Sequence, residues 1–262
     1  MTKIIWMSDP HFQNEGCVDG IDPRVRLDSA IAHANEHHSD AAFIVLSGDL
    51  VGDEMEADYT ALANHFATSD LPIYPMMGNH DDRRLLRNHL TVPPNPSGDF
   101  IHYAIEREAE TIICLDTHKS GSHAGSLCAS RLAWLDTVLC SDSHKPAYIF
   151  MHHPPLALEL PMQDEIMLED AEAFLDLVSA HPRVKHLFFG HVHRATSGSI
   201  RSIPFATLGS LLFQAPPPRP AWTWESFVPA KEAPQYGVLH ITNGDVILHY
   251  TQFCDYCVGE VG

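Results

Sequence analysis

Apolar residues arrive along the chain in short runs rich in Ile, Val and Phe, and longer amphipathic stretches separate them. An unbroken apolar run of strand length suits a strand buried on both faces, whereas apolar positions recurring every three or four residues suit a helix with one buried face. The pattern predicts strands at residues 3–8, 42–47, 72–76, 111–115, 147–151 and 184–189, and helices at 23–38, 55–68, 129–139 and 169–180. Pro23 fits a first-turn position, where its missing N–H would have no partner anyway. Strands that alternate with helices imply an α/β fold.

After residue 195 the rhythm changes to short alternating segments at 197–201, 204–208, 236–241 and, beyond Asn243-Gly244, 246–252, which predict antiparallel strands. A proline-rich stretch at 215–220 opens a connection of about 20 residues carrying Trp222, Trp224 and Phe227. Loops of that length cover a site or an interface, or pack as surface. The expected organisation is one domain over 1–262, with 195–262 as antiparallel strands and a long Pro/Trp loop that serve as a cap or an oligomer contact.

Composition narrows the functional classes. With 262 residues, 45% of them hydrophobic, the chain can bury one sizeable core. The 34 acidic residues against 16 basic ones give a net charge of -18, which repels polyanions and argues against long nucleic acid as a partner. The opening MTKIIWMSD has too short an apolar run for a signal peptide, and no stretch reaches the roughly 20 apolar residues of a membrane helix, so a cytoplasmic location is expected. Six scattered cysteines need no disulfide framework, and the C-x-x-C pair Cys254 and Cys257 has no second pair to complete a zinc site.

The unusual residues fall at the C-terminal ends of the predicted strands. These are Asp9-Pro10-His11, Gly48-Asp49, Gly78-Asn79-His80-Asp81, His152-His153 and Gly190-His191-Val192-His193. Open α/β sheets bind ligands outside those ends, so five distant segments can share one pocket. Carboxylate and amide oxygens with neutral imidazoles are ligands for manganese, iron or zinc, and the absence of cysteine among them favours a catalytic site over a closed structural one. Alternation places Asp9 with His11 and His191 with His193, while His152 and His153 diverge, so that one binds metal and the other supports it. Single histidines carry little weight among nineteen, and His33, His37, His38, His65 and His181 are read as packed or surface residues.

Taken in order, these elements resemble the signature of the calcineurin-like metallophosphoesterases over residues 9–193. The compact size, Arg83 after the Gly-Asn-His-Asp step, and His152-His153-Pro154-Pro155 resemble the class III cyclic-nucleotide phosphodiesterases and their glycerophosphodiesterase relatives. The resemblance implies a four-layer α-β-β-α sandwich of two mixed sheets. It implies two metal ions, one held by Asp9, His11, Asp49 and His193, the other by Asp49, Asn79, His152 and His191, with Asp49 as the bridge. His80 would face the substrate and protonate the leaving alkoxide, and a metal-bridging hydroxide would attack a small phosphodiester, either a cyclic nucleotide or a glycerophosphodiester. Dimers or larger homo-oligomers are common among similar enzymes.

Other readings remain at this point. The same metal pair serves phosphomonoesterases and nucleases, and some relatives are non-catalytic scaffolds, although those lack ligands that this chain retains. Arg83 or Arg84, at a helix start, is placed either to contact phosphate or to form a salt bridge. Substrate lining is expected from the loops at 12–22, 118–126 and 156–163, which contain Phe12, Gln13, Asn14, His118 and His123, and from the tryptophan-bearing connection.

Overall fold

The computed structural model describes residues 1–53, 55–94, 98–141, 144–219 and 222–254. In chain order its first half contains β1 (Thr2–Met7), α1 (Pro23–His37), β2 (Phe43–Leu46), α2 (Glu56–Phe66), β3 (Ile73–Pro75), α3 (Arg83–His89), β4 (Tyr103–Glu106) and β5 (Thr111–Leu115). The second half contains α4 (Ala129–Ser141), β6 (Ala147–Met151), α5 (Ala171–Ala180), β7 (Val184–Phe189), β8 (Ser197–Ile200), β9 (Ile203–Thr207), β10 (Gln235–Thr242) and β11 (Asp245–Gln252), with short 3-10 turns at Gln163–Ile166 and Trp224–Ser226. Every predicted strand and helix is present within a few residues. Pro23 opens α1 as expected, and the Asp22 carboxylate before it caps the helix by accepting from Arg24 N at 2.9 Å.

Two mixed sheets result, ordered β11-β10-β1-β2-β3 and β4-β5-β6-β7-β9-β8. Strand β1 runs parallel to β2 and antiparallel to β10, with Ile5 opposite both Ile44 and Val238. The expectation of antiparallel pairing after residue 195 holds for the β10–β11 hairpin, whose Asn243 and Gly244 both take the positive φ that a tight primed turn requires. It needs correction for β9, which pairs antiparallel with β8 but parallel with β7. The late strands therefore complete both sheets. Strand β4, with only four residues and a partly exposed burial pattern, had no counterpart among the predicted elements.

Side-chain alternation in the second sheet explains the layering. Ile112, Cys114, Tyr148, Phe150 and Phe188 join the cluster formed by β1 and β2, while Ile113, Leu115, Ile149, Met151, Leu187 and Phe189 join Leu135 and Leu139 of α4 and Phe174, Leu175 and Val178 of α5. Leu27, Ala30 and Ile31 of α1, with Tyr59 and Leu62 of α2, pack in the first cluster, so the order is helix, sheet, sheet, helix. Both sheets are thus covered on each side, which is why their strands read as unbroken apolar runs. Trp6 bridges the sheets with its edge on Phe150 and Phe188, at centroid distances of 5.9 and 5.2 Å. Fully buried, it would cost about 3–5 kcal/mol if cut to alanine.

Candidate metal centre

Strands β1, β2, β3, β6 and β7 end side by side, and the backbones that leave them interlock. Asp9 N donates to Gly48 O at 3.1 Å, and His11 N donates to Asp49 O at 3.0 Å. Asp9, His11, Asp49, His191 and His193 all lie at positive φ, between 41° and 70°. Each such residue costs about 1–2 kcal/mol relative to an ordinary conformation, and clustering of that strain is characteristic of functional sites. Gly48 has φ +96°, and a Cβ there would lie 2.6 Å from His152 Nδ1 and 2.8 Å from Gly78 N. A Cβ on Gly78 would overlap Asp49 itself. The glycines preceding Asp49 and Asn79 are therefore required by close approach of neighbouring strand ends.

The eight side chains singled out by sequence meet here. On one side, His11 Nε2 is 3.0 Å from His193 Nε2, and His193 Nε2 is 3.4 Å from Asp9 Oδ1. On the other, His152 Nε2 is 3.2 Å from both Asn79 Oδ1 and His191 Nδ1. Asp49 lies between the groups, with Oδ2 3.7 Å from His11 Nε2 and Oδ1 3.3 Å from His152 Nε2. His80 stands beside the first group, its ring 5.0 Å from that of His11, and its backbone N donates to Asp49 Oδ1 at 3.0 Å.

Hydrogen bonds behind the site fix which nitrogen faces inward. His152 Nδ1 donates to Ser47 O at 2.8 Å and His193 Nδ1 donates to Phe213 O at 3.2 Å, so each ring directs Nε2 toward the cluster, where it offers a lone pair once a cation takes the place of a proton. His152 Nε2 then faces the oxygens of Asn79 and Asp49, and the buried Nε2 of His191 has no hydrogen-bond partner among the described residues. Electron-rich atoms packed this way need a proton or a cation between them, and the donor set of carboxylate, amide oxygen and imidazole suits divalent first-row metals. His153 has no such freedom: Nδ1 is 2.7 Å from Thr117 Oγ1 and Nε2 donates to His123 O at 3.1 Å. Of the two histidines, His152 is the one whose free nitrogen faces Asp49 and Asn79, although His153 also lies within ligand distance of His152 and His191.

The electrostatics agree. Burial would raise the carboxyls of Asp9 and Asp49, but the facing His193 and His152 outweigh it and hold both below the ordinary range. Burial pushes His11 and His191 down to about 3, so both are neutral donors at any ordinary pH. For His152 burial is overcome by the Asp49 carboxylate, and the ring rises to about 9. The field that favours a proton there would equally draw in a cation.

Sequence reasoning assigned no role to several supporting groups. Asp81 is fully buried and accepts from Gly78 N at 2.8 Å, Leu50 N at 3.1 Å and Tyr59 Oη at 3.1 Å, which ties the 78–81 turn to the segment after Asp49. Its position as the last residue of Gly-Asn-His-Asp was the available signal. Burial, with Asp49 nearby, raises it to about 7. A relay runs from Trp6 Nε1 to Ser47 Oγ at 2.9 Å, on to Ser8 Oγ at 2.8 Å, and ends with Ser8 donating to Asp9.

A cleft of about 590 Å³ opens over the cluster, lined by His11, Asp49, Asn79, His80, His191 and His193 together with Gln13, Val18, Gly52, His123, Gln163, Ile166, Phe213, Trp224 and Phe227. The long connection after residue 215 therefore reaches the site through Trp224 and Phe227, though Trp222 does not line it. Trp224 Nε1 donates to Glu165 Oε2 at 3.0 Å, and Phe213 packs 4.7 Å from the His193 ring. Phe213 had not been singled out from the sequence. His123 lines the cleft and binds Asn79 Nδ2 at 3.2 Å, whereas His118 is buried beneath it, donating from Nδ1 to Gly78 O at 3.0 Å. Arg83 grips Asp116 with two bonds of 2.7 and 2.8 Å and is committed to that salt bridge, and Arg84 is exposed away from the lining. Cys254 pairs with Arg26, and Cys257 lies outside the described residues. No helix among the described residues is long and apolar enough to cross a membrane.

The family model described as calcineurin-like phosphoesterase matches residues 2–195. The chain is 33% identical to a probable cyclic nucleotide phosphodiesterase of Rhodopseudomonas palustris over 96% of its length and 92% of the relative's. It is 30% identical to the glycerophosphodiester phosphodiesterase GpdQ of Enterobacter lignolyticus over 80% of its length and 77% of the relative's. Among solved structures, a dimetal phosphatase from Danio rerio shares the fold with a TM-score of 0.73 over 97% of both chains at 14% identity. The purple acid phosphatase from yellow lupin seeds matches 96% of this chain and 51% of its own, with a TM-score of 0.67 at 13% identity. With its two sheets, its cluster of buried aspartates and imidazoles at their strand ends and these relatives, the chain belongs to the calcineurin-like metallophosphoesterase family.

Proposed function

We propose that the chain hydrolyses a small phosphodiester, and that a cyclic nucleotide is the substrate its cleft suits best. The observation that carries this is the aromatic wall of Phe213, Trp224 and Phe227 beside the carboxylate and imidazole cluster. An anionic diester belongs at the cluster, and a planar base attached to it would reach a π surface that can stack on it. All three aromatic residues lie beyond residue 195, where the family match ends.

In this reading Asp9, His11, Asp49 and His193 hold one metal ion, and Asp49, Asn79, His152 and His191 hold the second; manganese, iron and zinc all suit these donors. Bound cations would offset the charge of the diester and bring water into its nucleophilic form near neutral pH. The protein's own groups do the rest. His123 orients the Asn79 amide so that its oxygen faces the cluster. His80 donates from Nδ1 to Gly52 O at 2.9 Å, which leaves Nε2 free; in the imidazolium form Nε2 carries the proton that would pass to the leaving alkoxide as the P–O ester bond breaks, and the ring is left neutral. Trp224, anchored on Glu165, would offer its ring to the base from one side of the cleft.

A second reading, a glycerophosphodiesterase, is favoured by Gln13 and Gln163 in the same lining, whose amides match glycerol hydroxyls. Steady-state assays of cyclic nucleotides, glycerophosphodiesters, bis-p-nitrophenyl phosphate and p-nitrophenyl phosphate separate these readings. Trp224→Ala should raise KM for a cyclic nucleotide roughly 5- to 150-fold, the worth of one stacking contact, and leave a glycerophosphodiester unaffected. A wild-type kcat/KM that favours the glycerophosphodiester selects the second reading, and turnover of p-nitrophenyl phosphate alone refutes both.

A further inference from the structure

We propose a separate thiolate metal site on the outer helices, formed by Asp136, Cys140 and His181 and suited to zinc. Asp136 and Cys140 stand four residues apart on α4, so their side chains share one face a turn apart. His181 comes from the residue that ends α5, where its backbone N bonds to Val178 O at 3.2 Å and its O accepts from Val184 N at 3.0 Å. The imidazole is therefore presented from a fixed backbone. Its Nε2 lies 2.8 Å from Asp136 Oδ1, and Cys140 Sγ lies 3.9 Å from the same oxygen. The three donor atoms all fall within 4.8 Å of one another. Zinc binds oxygen and nitrogen at about 2.0–2.2 Å and sulfur at about 2.3 Å, so tetrahedral ligands sit roughly 3.3–3.7 Å apart. The observed separations lie on either side of that range, and small rotations of exposed side chains close the difference, with water as the fourth ligand.

This site is independent of the phosphoesterase centre. Helix α4 leads into β6 and α5 leads into β7, so the ends of both helices lie at the starts of those strands, whereas the candidate catalytic cluster lies at their C-terminal ends. The donor sets also differ: the catalytic cluster has no cysteine, and a thiolate selects zinc over manganese or magnesium. Binding would release the Cys140 thiol proton and link α4 to α5, both of which pack on the outer face of the second sheet.

Cobalt tests the proposal without reference to turnover, because a thiolate ligand gives Co²⁺ a near-ultraviolet charge-transfer band that oxygen and imidazole ligands do not. With enough Co²⁺ to fill the phosphoesterase centre as well, titration into the full-length protein should develop that band to the intensity of one thiolate site per chain, and added Zn²⁺ should abolish it. Cys140→Ser should remove the band, and His181→Gln and Asp136→Asn should each weaken cobalt binding at least tenfold, with diesterase activity and circular dichroism unchanged in all three. A wild-type protein without the band, or a band that persists in Cys140→Ser, overturns the assignment.

Discussion

Gly48→Ala probes whether the backbone builds the metal centre. At φ +96° an L residue is strained beyond the left-handed cost of about 1–2 kcal/mol. The added methyl would sit 2.6 Å from His152 Nδ1 and 2.8 Å from Gly78 N, one a side chain held by Ser47 O and the other backbone. Overpacking of that kind costs about 1–3 kcal/mol. Together the two effects destabilise by about 2–5 kcal/mol, and for a chain of this size each kcal/mol lowers Tm by roughly 2–4 °C. Differential scanning fluorimetry should therefore show a loss of roughly 4–20 °C. The strain acts on His152, so elemental analysis should also show reduced metal content at a temperature where the variant is folded. Wild-type Tm with full metal content in Gly48→Ala would refute the argument that strand-end crowding sets the site.

The remaining predictions concern the chemistry. Asp49→Ala should abolish metal occupancy at both positions together with diesterase activity; an active, metal-free variant would dispose of the bridging role. His80→Ala should retain metal and lose roughly 10²- to 10⁴-fold in kcat, with the loss greatest for poor leaving groups, and a loss independent of leaving group would remove His80 as the acid. Chelator-treated protein should be most stable near pH 6.5 in urea melts at varied pH. Below that value the unfolded chain takes up protons that His11, His102, His153, His186 and His191 refuse when buried, which outweighs the single proton that Asp81 retains up to about 7. Above 6.5, stability that comes from the raised His152 is lost as pH climbs through about 9, which outweighs the opposing gain from the Cys128 thiol, lowered against burial to about 7 by Ser130 and Arg131 but exposed and screened by solvent. Stability rising steadily from pH 6.5 to 9 would contradict the assigned shifts.

Much of the fold was legible because burial on both faces writes strands as runs such as Phe43–Leu46 and Thr111–Leu115, and because five of the six runs before residue 195, all but Thr111–Leu115, ended in residues with metal-binding chemistry. Periodicity is silent where an element is short and half-exposed, hence the missed Tyr103–Glu106, and it does not tell which neighbour a strand takes, hence the parallel β7–β9 pairing. The distinction between His152 and His153 needed the partners of their ring nitrogens, and Arg83 needed the buried Asp116, 33 residues away. Phe213 escaped notice because an apolar residue after a strand has no chemical mark until the His193 ring is found beside it.

The position of β1 between β2 and β10 has a consequence for biogenesis. The strand that leads into Asp9 leaves the ribosome well before the partner for its other edge, residues 235–242. Ser210, which donates to Asp9 O, and Leu211, which donates to Ser8 O, also arrive late. Until residues 235–242 emerge, that edge stays open to any passing strand, a state in which nascent chains aggregate or call on chaperones. A metal held by Asp9 would therefore find its cradle complete only after residues 210–211 and 235–242 have folded back onto β1.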